Sequence, residues 1–336
     1  MTQIIKARYP SNIALVKYWG KRDNQLPCNT SLSMTLNDSF SEVSLQYSEK
    51  HSSLTEFGYY FEGIPKENFR ARVLEYVIKQ KEFSSLLKNY ALRIDSKNNF
   101  PHSAGIASSA SAFAAIAAVL LKASAISSDT DFTRDASRLA RLGSGSACRS
   151  FYGPYASWGH LREINNSSDD YAIPVKEIHE NFRSMRDAVL IVEDSPKKIP
   201  SSVGHAMMKH HPFAAARFQQ ADKHCIEMLS ALKNGDMEAF ISITEGEALS
   251  LHAMMMTSGD YYLLFKPETV YIMEQIFQFR KDTGLPVCFT LDAGPNVHLL
   301  YPESIEEKII QFLKNNFCDQ LKSVIYDHAG QGGSII

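Results

Sequence analysis

The arrangement of hydrophobic and polar positions in the first half of the chain predicts strands mixed with helices. Residues 41–46 alternate apolar and polar side chains, which is typical of a half-buried strand, and residues 91–95 predict a second strand. Between them, apolar residues at helical spacing predict a helix over 69–87. A long Ala-rich helix is predicted to run through about Leu121, and a further helix over 133–142.

The second half of the chain shows the same mixture. The apolar run at 186–193 predicts a buried strand, and the following stretch SPKKIPSS predicts a turn. Periodicity and Gly, Asn and Pro punctuation predict helices over 211–232, 237–256, 267–283 and 305–315, and strands over 287–291, 297–301 and 323–326. Strict strand–helix alternation is absent, so we expect an α+β fold with a seam near residues 181–201.

Composition narrows the classes of function. A chain of 336 residues favours two structural units. With 35 basic and 37 acidic side chains, it has no overall positive charge for binding nucleic acid or an anionic membrane. The five cysteines are scattered and include no CxxC pair, which argues against a structural zinc site or a disulfide framework. No signal peptide or membrane span is evident, and we expect a cytoplasmic protein.

The strongest local motif is PHSAGIASSASAF at residues 101–113. A strand, a loop of small residues and a helix start together present backbone N–H groups to phosphate. The hydroxyls of Ser108 and Ser109 are candidate contacts for phosphate or for Mg²⁺. The pattern is neither the Walker loop nor GxGxxG. Taken alone, it is equally compatible with a well-capped, closely packed helix that binds nothing.

Four stretches resemble the mevalonate diphosphate decarboxylase family of the GHMP kinase superfamily. They are SNIALVKYWGKRD followed by NTSLSMTL, NNFPHSAGIASSAS at 98–111, ARLGSGSACRS at 140–150 and TLDAGPNVH at 290–298, with weaker echoes at SSVGH (201–205) and EALSLHA (247–253). The resemblance covers nearly the whole chain. KYWGK and GSGSACRS are its most specific parts.

The resemblance implies a two-domain fold with the ligands in the cleft between the domains. An N-terminal α/β nucleotide-binding domain is expected over residues 1–185 and a C-terminal ferredoxin-like domain over 186–336. The implied reaction uses ATP and Mg²⁺ to phosphorylate the 3-hydroxyl of mevalonate 5-diphosphate. Phosphate and CO₂ then leave, giving isopentenyl diphosphate. A homodimer is expected by analogy with the family.

Three residues match the family's catalytic positions. Asp292 is the expected base, because a tertiary hydroxyl needs a carboxylate to orient it and accept its proton. Arg149 is expected to grip the anionic substrate with its planar fork, and Lys17 to lie near Asp292 and the reacting carbon. Without the resemblance, Asp292 would be interpreted as an Asx-turn residue and the two cations as surface ion-pair partners.

Further positions match the family's ligand contacts. Tyr18, Lys21, Ser144 and Ser146, together with Arg149, are the expected substrate contacts; Gly105, Ala107, Ser108 and Ser109 are the expected ATP contacts. The GSGS segment is a plausible anion cradle, although alone it would be interpreted as a flexible loop. The sequence departs from the family at Tyr152-Gly153-Pro154 and at Val203, where some bacterial relatives have arginine.

We expect no protein metal site, because the eleven histidines are irregularly spaced and Mg²⁺ prefers the oxygens of ATP and water. Ser109 is the candidate protein ligand. Three alternatives stay open from the sequence: a decarboxylase of mevalonate 5-phosphate, a mevalonate 3-kinase, and a homologue that binds the ligands without turnover.

Overall fold

The computed structural model of the chain describes residues 2–50, 54–101, 105–125, 131–195, 201–317 and 319–336, without the side chains of residues 201 and 202. Its strands are β1 (Gln3–Val16), β2 (Ser31–Glu49), β3 (Phe57–Phe61), β4 (Ile64–Pro65), β5 (Tyr90–Asn98), β6 (Tyr155–Trp158), β7 (Ile173–Pro174), β8 (Met185–Ile191), β9 (Cys288–Thr290), β10 (Val297–Pro302), β11 (Ser323–His328) and β12 (Ser334–Ile335). Its α-helices are α1 (Glu67–Lys79), α2 (Ser84–Asn89), α3 (Ser108–Ser124), α4 (Phe132–Gly143), α5 (Ser201–Met207), α6 (Ala214–Asn234), α7 (Met237–Met256), α8 (Pro267–Thr283) and α9 (Glu306–Asn316).

The first sheet is built on two long antiparallel strands, β1 and β2. Its strand order is β12-β1-β2-β5-β3-β4, with β6 paired to β2 and β7 paired to β6. The β3–β5 pair is parallel and the others are antiparallel. Helix α3 packs on β1 and β2, because its Ala-rich surface allows close approach to the sheet.

The second sheet has four antiparallel strands in the order β11-β8-β10-β9. Along the chain, helices α5 to α8 lie between β8 and β9, strands β9 and β10 follow each other, and α9 leads into β11. This βαββαβ order is that of the ferredoxin-like motif, here with additional helices in the first crossover. The expected α+β fold with two units is therefore confirmed.

The two units share hydrophobic core. One buried cluster combines Ile13 and Leu15 of β1 with Val189 of β8 and Met228 of α6. The last strand, β12, also leaves the second unit and pairs with β1, opposite Ala7 and Arg8. The two units are therefore closely packed against each other, and the strand β12 that follows the second unit completes the sheet of the first.

Two local features differ from the sequence-based expectation. The helix predicted over 69–87 is broken, because Gln80 is extended and a short 3₁₀ turn directs Phe83 into the core, where it is fully buried. The sequence patterns also predicted no element for the first segment of the chain, which forms the long strand β1. Its polar Ser11 and Asn12 are buried because their side chains hydrogen-bond to neighbouring segments.

Other sequence expectations concern disulfides and membrane segments. The cysteines within the described residues, at 28, 148, 225 and 288, are free thiols, and Cys318 lies outside them. Among the described helices, none combines the length and apolar character needed to cross a bilayer.

Gly332 tests how the C-terminal segment joins the first unit. A Cβ atom at this position would lie 2.1 Å from the backbone oxygen of Phe151, so Gly332→Ala must displace backbone. We expect it to lower the free energy of unfolding by about 1–3 kcal/mol in a urea titration. Gly246→Ala is the control, because its Cβ would meet nothing within 4 Å and should stabilise α7 by up to about 1 kcal/mol. Equal effects of the two substitutions would contradict this account.

Candidate active site

A cleft of about 900 Å³ lies where the two units meet. It is lined by strand β1 and the loop after it, the start of α3, the loop after α4, and the turn after β9. All eleven side chains expected from the sequence line this one cleft: Lys17, Tyr18, Lys21, Gly105, Ala107, Ser108, Ser109, Ser144, Ser146, Arg149 and Asp292. Residues 102–104 of the phosphate-loop motif lie outside the described residues.

Lys17 lies just after β1, and its side chain is only 1% exposed. Its ammonium nitrogen donates to the backbone oxygen of Ala14 at 2.6 Å and lies 3.2 Å from a carboxylate oxygen of Asp292. Burial lowers the pKa of Lys17, and the nearby Asp292 carboxylate only partly opposes this shift. The ammonium is therefore poorly hydrated and is held in place by oxygen atoms of the protein.

The backbone at Lys17 is fixed by a buried carboxylate from the other unit. Glu247 of α7 accepts the Lys17 N–H at 2.8 Å, while both terminal nitrogens of Arg217 bind its two oxygens at 3.1 and 2.5 Å. His224 Nδ1 lies 2.7 Å from the same carboxylate. Arg217 and His224 are seven residues apart on α6, so they share one helix face. Burial alone would raise the pKa of Glu247, but these hydrogen bonds hold it below its ordinary value.

Asp292 lies in the LDAGPN turn that follows β9, and its side chain is 27% exposed to the cleft. Asn296 holds the turn in place: its side-chain oxygen accepts the backbone N–H groups of Val192 and Glu193, each at 2.9 Å. His252 Nε2 lies 3.1 Å from the Asp292 backbone oxygen, and its ring stacks on Phe265. The turn therefore fixes the carboxylate at the cleft floor, beside Lys17.

Arg149 is 2% exposed and is held by neutral acceptors. Its Nε donates to Asn12 Oδ1 at 3.3 Å, and one terminal nitrogen donates to Ser31 Oγ. Within the described part of the chain, no carboxylate lies within ion-pair distance of this guanidinium. A buried charge without a counterion favours an anion brought by a ligand.

The phosphate loop and the GSGS segment meet at the entrance of the cleft. Gly105 and Ala107 both have positive φ angles, +89° and +38°, and α3 begins at Ser108. The hydroxyls of Ser109 and Ser144 are 3.2 Å apart, which joins the start of α3 to the loop after α4. The start of α3 therefore lies beside two serine hydroxyls, where the partial positive charge of a helix N-terminus favours an anion.

Glycine in GSGS has a steric role that the anion-cradle interpretation did not include. A Cβ atom on Gly145 would lie 2.8 Å from the Tyr18 hydroxyl, and one on Gly143 would lie 2.0 Å from the Phe113 ring.

The Tyr18 hydroxyl is buried and has no hydrogen-bond partner among the described residues. It is therefore a donor available to a ligand in the cleft. Lys21 donates to Gln25 Oε1 at 3.0 Å, and burial lowers its pKa.

Two family models cover the chain. Residues 9–172 match the diphosphomevalonate decarboxylase-like N-terminal domain, and residues 188–331 match the mevalonate 5-diphosphate decarboxylase C-terminal domain. The diphosphomevalonate decarboxylase of Debaryomyces hansenii is 31% identical over 329 residues, which cover 93% of this chain and 82% of the relative. The chain belongs to the diphosphomevalonate decarboxylase family.

Solved structures of this family have the same fold over the full chain. The mevalonate diphosphate decarboxylase of Staphylococcus aureus is 30% identical, with a TM-score of 0.86, and the match covers 100% of this chain and 98% of that one. A structure described as "MDDEF in complex with MVAPP, AMPPCP and Magnesium" is 28% identical, also with a TM-score of 0.86, and the match covers 100% and 99%.

Several residues in the cleft of this family member were not predicted as site residues. Asn12 hydrogen-bonds to both Arg149 and the hydroxyl of Ser150. The sequence contains only one indication of this role, a polar amide side chain next to a run of apolar residues. His205 lines the cleft although only its motif, SSVGH, was singled out. Arg72 of α1 also lines it and lies over the Phe113 ring at 4.9 Å. Val203, by contrast, is 39% exposed and is not among the cleft residues of the described chain.

Glu247→Ala should destabilise the protein strongly, because it leaves Arg217 as a buried charge without its partner. We expect the free energy of unfolding in urea to fall by about 3–5 kcal/mol. The control is Glu227→Ala on α6, where the ion pair with Lys223 is exposed and should contribute less than about 1 kcal/mol. A loss at Glu247 no larger than that at Glu227 would show that the buried network is not a stabilising connection between the units.

The environment of Lys17 predicts a measurable titration shift. The ¹³Cε resonance of Lys17, assigned by its disappearance in Lys17→Arg, should titrate below the ordinary lysine range because burial lowers this pKa. Asp292→Asn removes a negative charge that favours the ammonium, so the pKa should fall further. A pKa that rises or stays constant in Asp292→Asn would contradict the observed pairing.

Proposed function

We propose that this protein catalyses the ATP-dependent decarboxylation of mevalonate 5-diphosphate to isopentenyl diphosphate, with release of ADP, phosphate and CO₂. The observation that carries the proposal is the position of Asp292, a partly exposed carboxylate 3.2 Å from the buried Lys17 ammonium in a cleft that also holds Arg149 and the phosphate loop. A base, two cations and a phosphate-binding loop are the groups that this reaction requires. Membership of the family supports the same reaction.

Asp292 orients the substrate's tertiary 3-hydroxyl and accepts its proton as the oxygen attacks the γ-phosphorus of ATP. The new bond joins O3 to phosphorus, and the bond between that phosphorus and the bridging oxygen of ADP breaks. The Lys17 ammonium, 3.2 Å from Asp292 Oδ1, donates to this carboxylate and orients it. The Glu247 clamp on the Lys17 backbone keeps this pair in place.

Arg149 and Lys17 act in the second half of the reaction. The C3–O bond breaks with its electron pair leaving on phosphate, and positive charge develops at C3. The electron pair of the C1–C2 bond then forms the C2=C3 double bond as CO₂ is released. Arg149 binds the substrate's anionic groups, because its partners Asn12 and Ser31 are neutral and leave its charge uncompensated.

The phosphate loop binds ATP through Gly105, Ala107, Ser108 and Ser109. The positive φ angles of Gly105 and Ala107 turn the backbone into the start of α3, and Ser108 and Ser109 at this start line the cleft. Mg²⁺ fits this site, because hydroxyl oxygens and ATP phosphates are the ligands it prefers, and Ser109 would be its protein ligand. The ion would supply charge neutralisation on the transferred phosphoryl group. The relative solved with AMPPCP and magnesium supports both cofactors.

The diphosphate end of the substrate is bound by Tyr18, Lys21, Ser144 and Ser146. The unpartnered Tyr18 hydroxyl and the Lys21 ammonium are donors from the loop after β1. The serines are donors from the GSGS loop, close to the start of α3. The relative solved with MVAPP is consistent with a substrate in this cleft.

The proposal extends to the organisation of the protein. We assign residues 1–185 to an ATP-binding domain and 186–336 to a second domain, with β12 of the second returning to the sheet of the first. The protein is further proposed to be a cytoplasmic homodimer that binds no nucleic acid or membrane, in agreement with its balanced charge.

Product analysis tests the function. The purified protein is incubated with ATP and Mg²⁺ and with mevalonate, mevalonate 5-phosphate or mevalonate 5-diphosphate in separate reactions, and CO₂ and ADP are measured. We expect CO₂ only from the diphosphate. CO₂ from the monophosphate alone would identify a monophosphate decarboxylase, and ADP without CO₂ from mevalonate would identify a 3-kinase.

Asp292→Asn should reduce kcat for CO₂ and ADP release about 10²–10⁴-fold, because the base is lost while the side-chain volume is kept. Binding of mevalonate 5-diphosphate, measured by calorimetry, should change much less. The matched control is Asp222→Asn on α6, whose carboxylate accepts the Thr30 N–H at 2.7 Å and is not among the residues lining the cleft. Wild-type turnover in Asp292→Asn would remove Asp292 from the mechanism.

A further inference from the structure

His205 of helix α5 lies against the loop after β1, on the wall of the cleft. Its ring packs on Tyr18 with the ring centres 4.4 Å apart and on Trp19 with the centres 4.8 Å apart. Close approach of α5 requires glycine at the preceding position, since a Cβ atom on Gly204 would lie 2.3 Å from the Trp19 ring. The imidazole is therefore held in one orientation by two aromatic side chains.

The hydrogen bond of the ring defines its tautomer. The backbone N–H of Gly20 donates to His205 Nδ1 at 3.1 Å, and because an amide N–H can only donate, Nδ1 must carry a lone pair. The proton of the neutral ring is then on Nε2. Within the described residues, no partner is present for this Nε2–H group. A fixed donor without a protein partner in a cleft wall points to a ligand acceptor.

The charge state of the ring agrees with this geometry. Burial, assisted by the positive charge of Lys21, lowers the pKa of His205 to about 3. The ring is therefore neutral at any physiological pH, and Nε2–H is its one hydrogen-bond donor. Among the described residues, the groups that face it are the Tyr18 and Trp19 rings, the Gly20 amide and the Lys21 ammonium, and this set includes no carboxylate that would compete with an anionic ligand.

We propose that His205 is a further substrate-binding residue and donates its Nε2–H to an oxygen of the substrate's 5-diphosphate group. This inference rests on the proposed function, since it places the diphosphate beside Tyr18 and Lys21. A neutral N–H donor there adds a directional contact to a phosphate oxygen without adding a charge. His205 then supplies a directional hydrogen bond to the diphosphate, and Lys21 supplies the positive charge that attracts it.

Binding of mevalonate 5-diphosphate measured by isothermal titration calorimetry in the absence of ATP tests the proposal independently of turnover. His205→Phe keeps a flat ring between Tyr18 and Trp19 and removes both nitrogens, whereas His205→Gln keeps an amide donor at the reach of Nε2. We expect Kd to rise about tenfold or more in His205→Phe and less than about threefold in His205→Gln. Val203→Ala, on the exposed side of the same helix, is the control and should leave Kd unchanged.

Three outcomes would overturn the inference. The first is a wild-type Kd in His205→Phe, which would mean that the ring contacts no ligand. The second is an equal loss in the Phe and Gln variants, which would indicate a packing role without donation. The third concerns the ratio of the Kd of His205→Phe to the wild-type Kd. A ratio that falls as the pH rises from 6 to 9 would mean that the imidazole binds in its charged form and loses its contribution on deprotonation. His205-dependent binding in a protein that releases no CO₂ would support the inference while refuting the proposed decarboxylase function.

Discussion

The rest of the site depends on one enclosed lysine ammonium. Removing a charged amine from water is costly, and the cost is reduced only when oxygen atoms take the place of its hydration shell. At Lys17 the Ala14 carbonyl and the Asp292 carboxylate take this place, and they come from β1 and from the turn after β9. A side chain of the first unit is thus neutralised by one from the second, so the charge balance of the site exists only when the two units are correctly packed.

The Glu247 network reinforces the same dependence from behind the site. Arg217 and His224 hold the carboxylate, and the carboxylate holds the backbone N–H of Lys17. Because this network is buried, movement of α6 or α7 relative to β1 would expose unpaired charge to a medium of low polarity. The geometry of the reacting groups is therefore coupled to the packing of α6 and α7 through Arg217, His224 and Glu247, which are not among the described residues that line the cleft.

Sequence patterns predicted most of the second unit, because α7 and α8 have clear punctuation at both ends and their observed limits agree with those expected. All eleven site residues that the motifs predicted also line the cleft. Residues whose role depends on distant partners could not be predicted. The sequence shows Glu247 only as an acidic residue in a helix, and its role follows from its hydrogen bonds with Arg217 and Lys17 in the folded protein. The tautomer of His205 likewise depends on Gly20, which is 185 residues away along the chain.

The pairing of β12 with β1 has a consequence for how the chain is made. Ala7 lies opposite Ile335, which is 328 residues further along the chain. This edge of β1 therefore stays unpaired until residues 334 and 335 have been synthesised, and the first sheet is completed late. Contacts of such long sequence separation form slowly, and until they form, this open edge is a site for pairing with other chains.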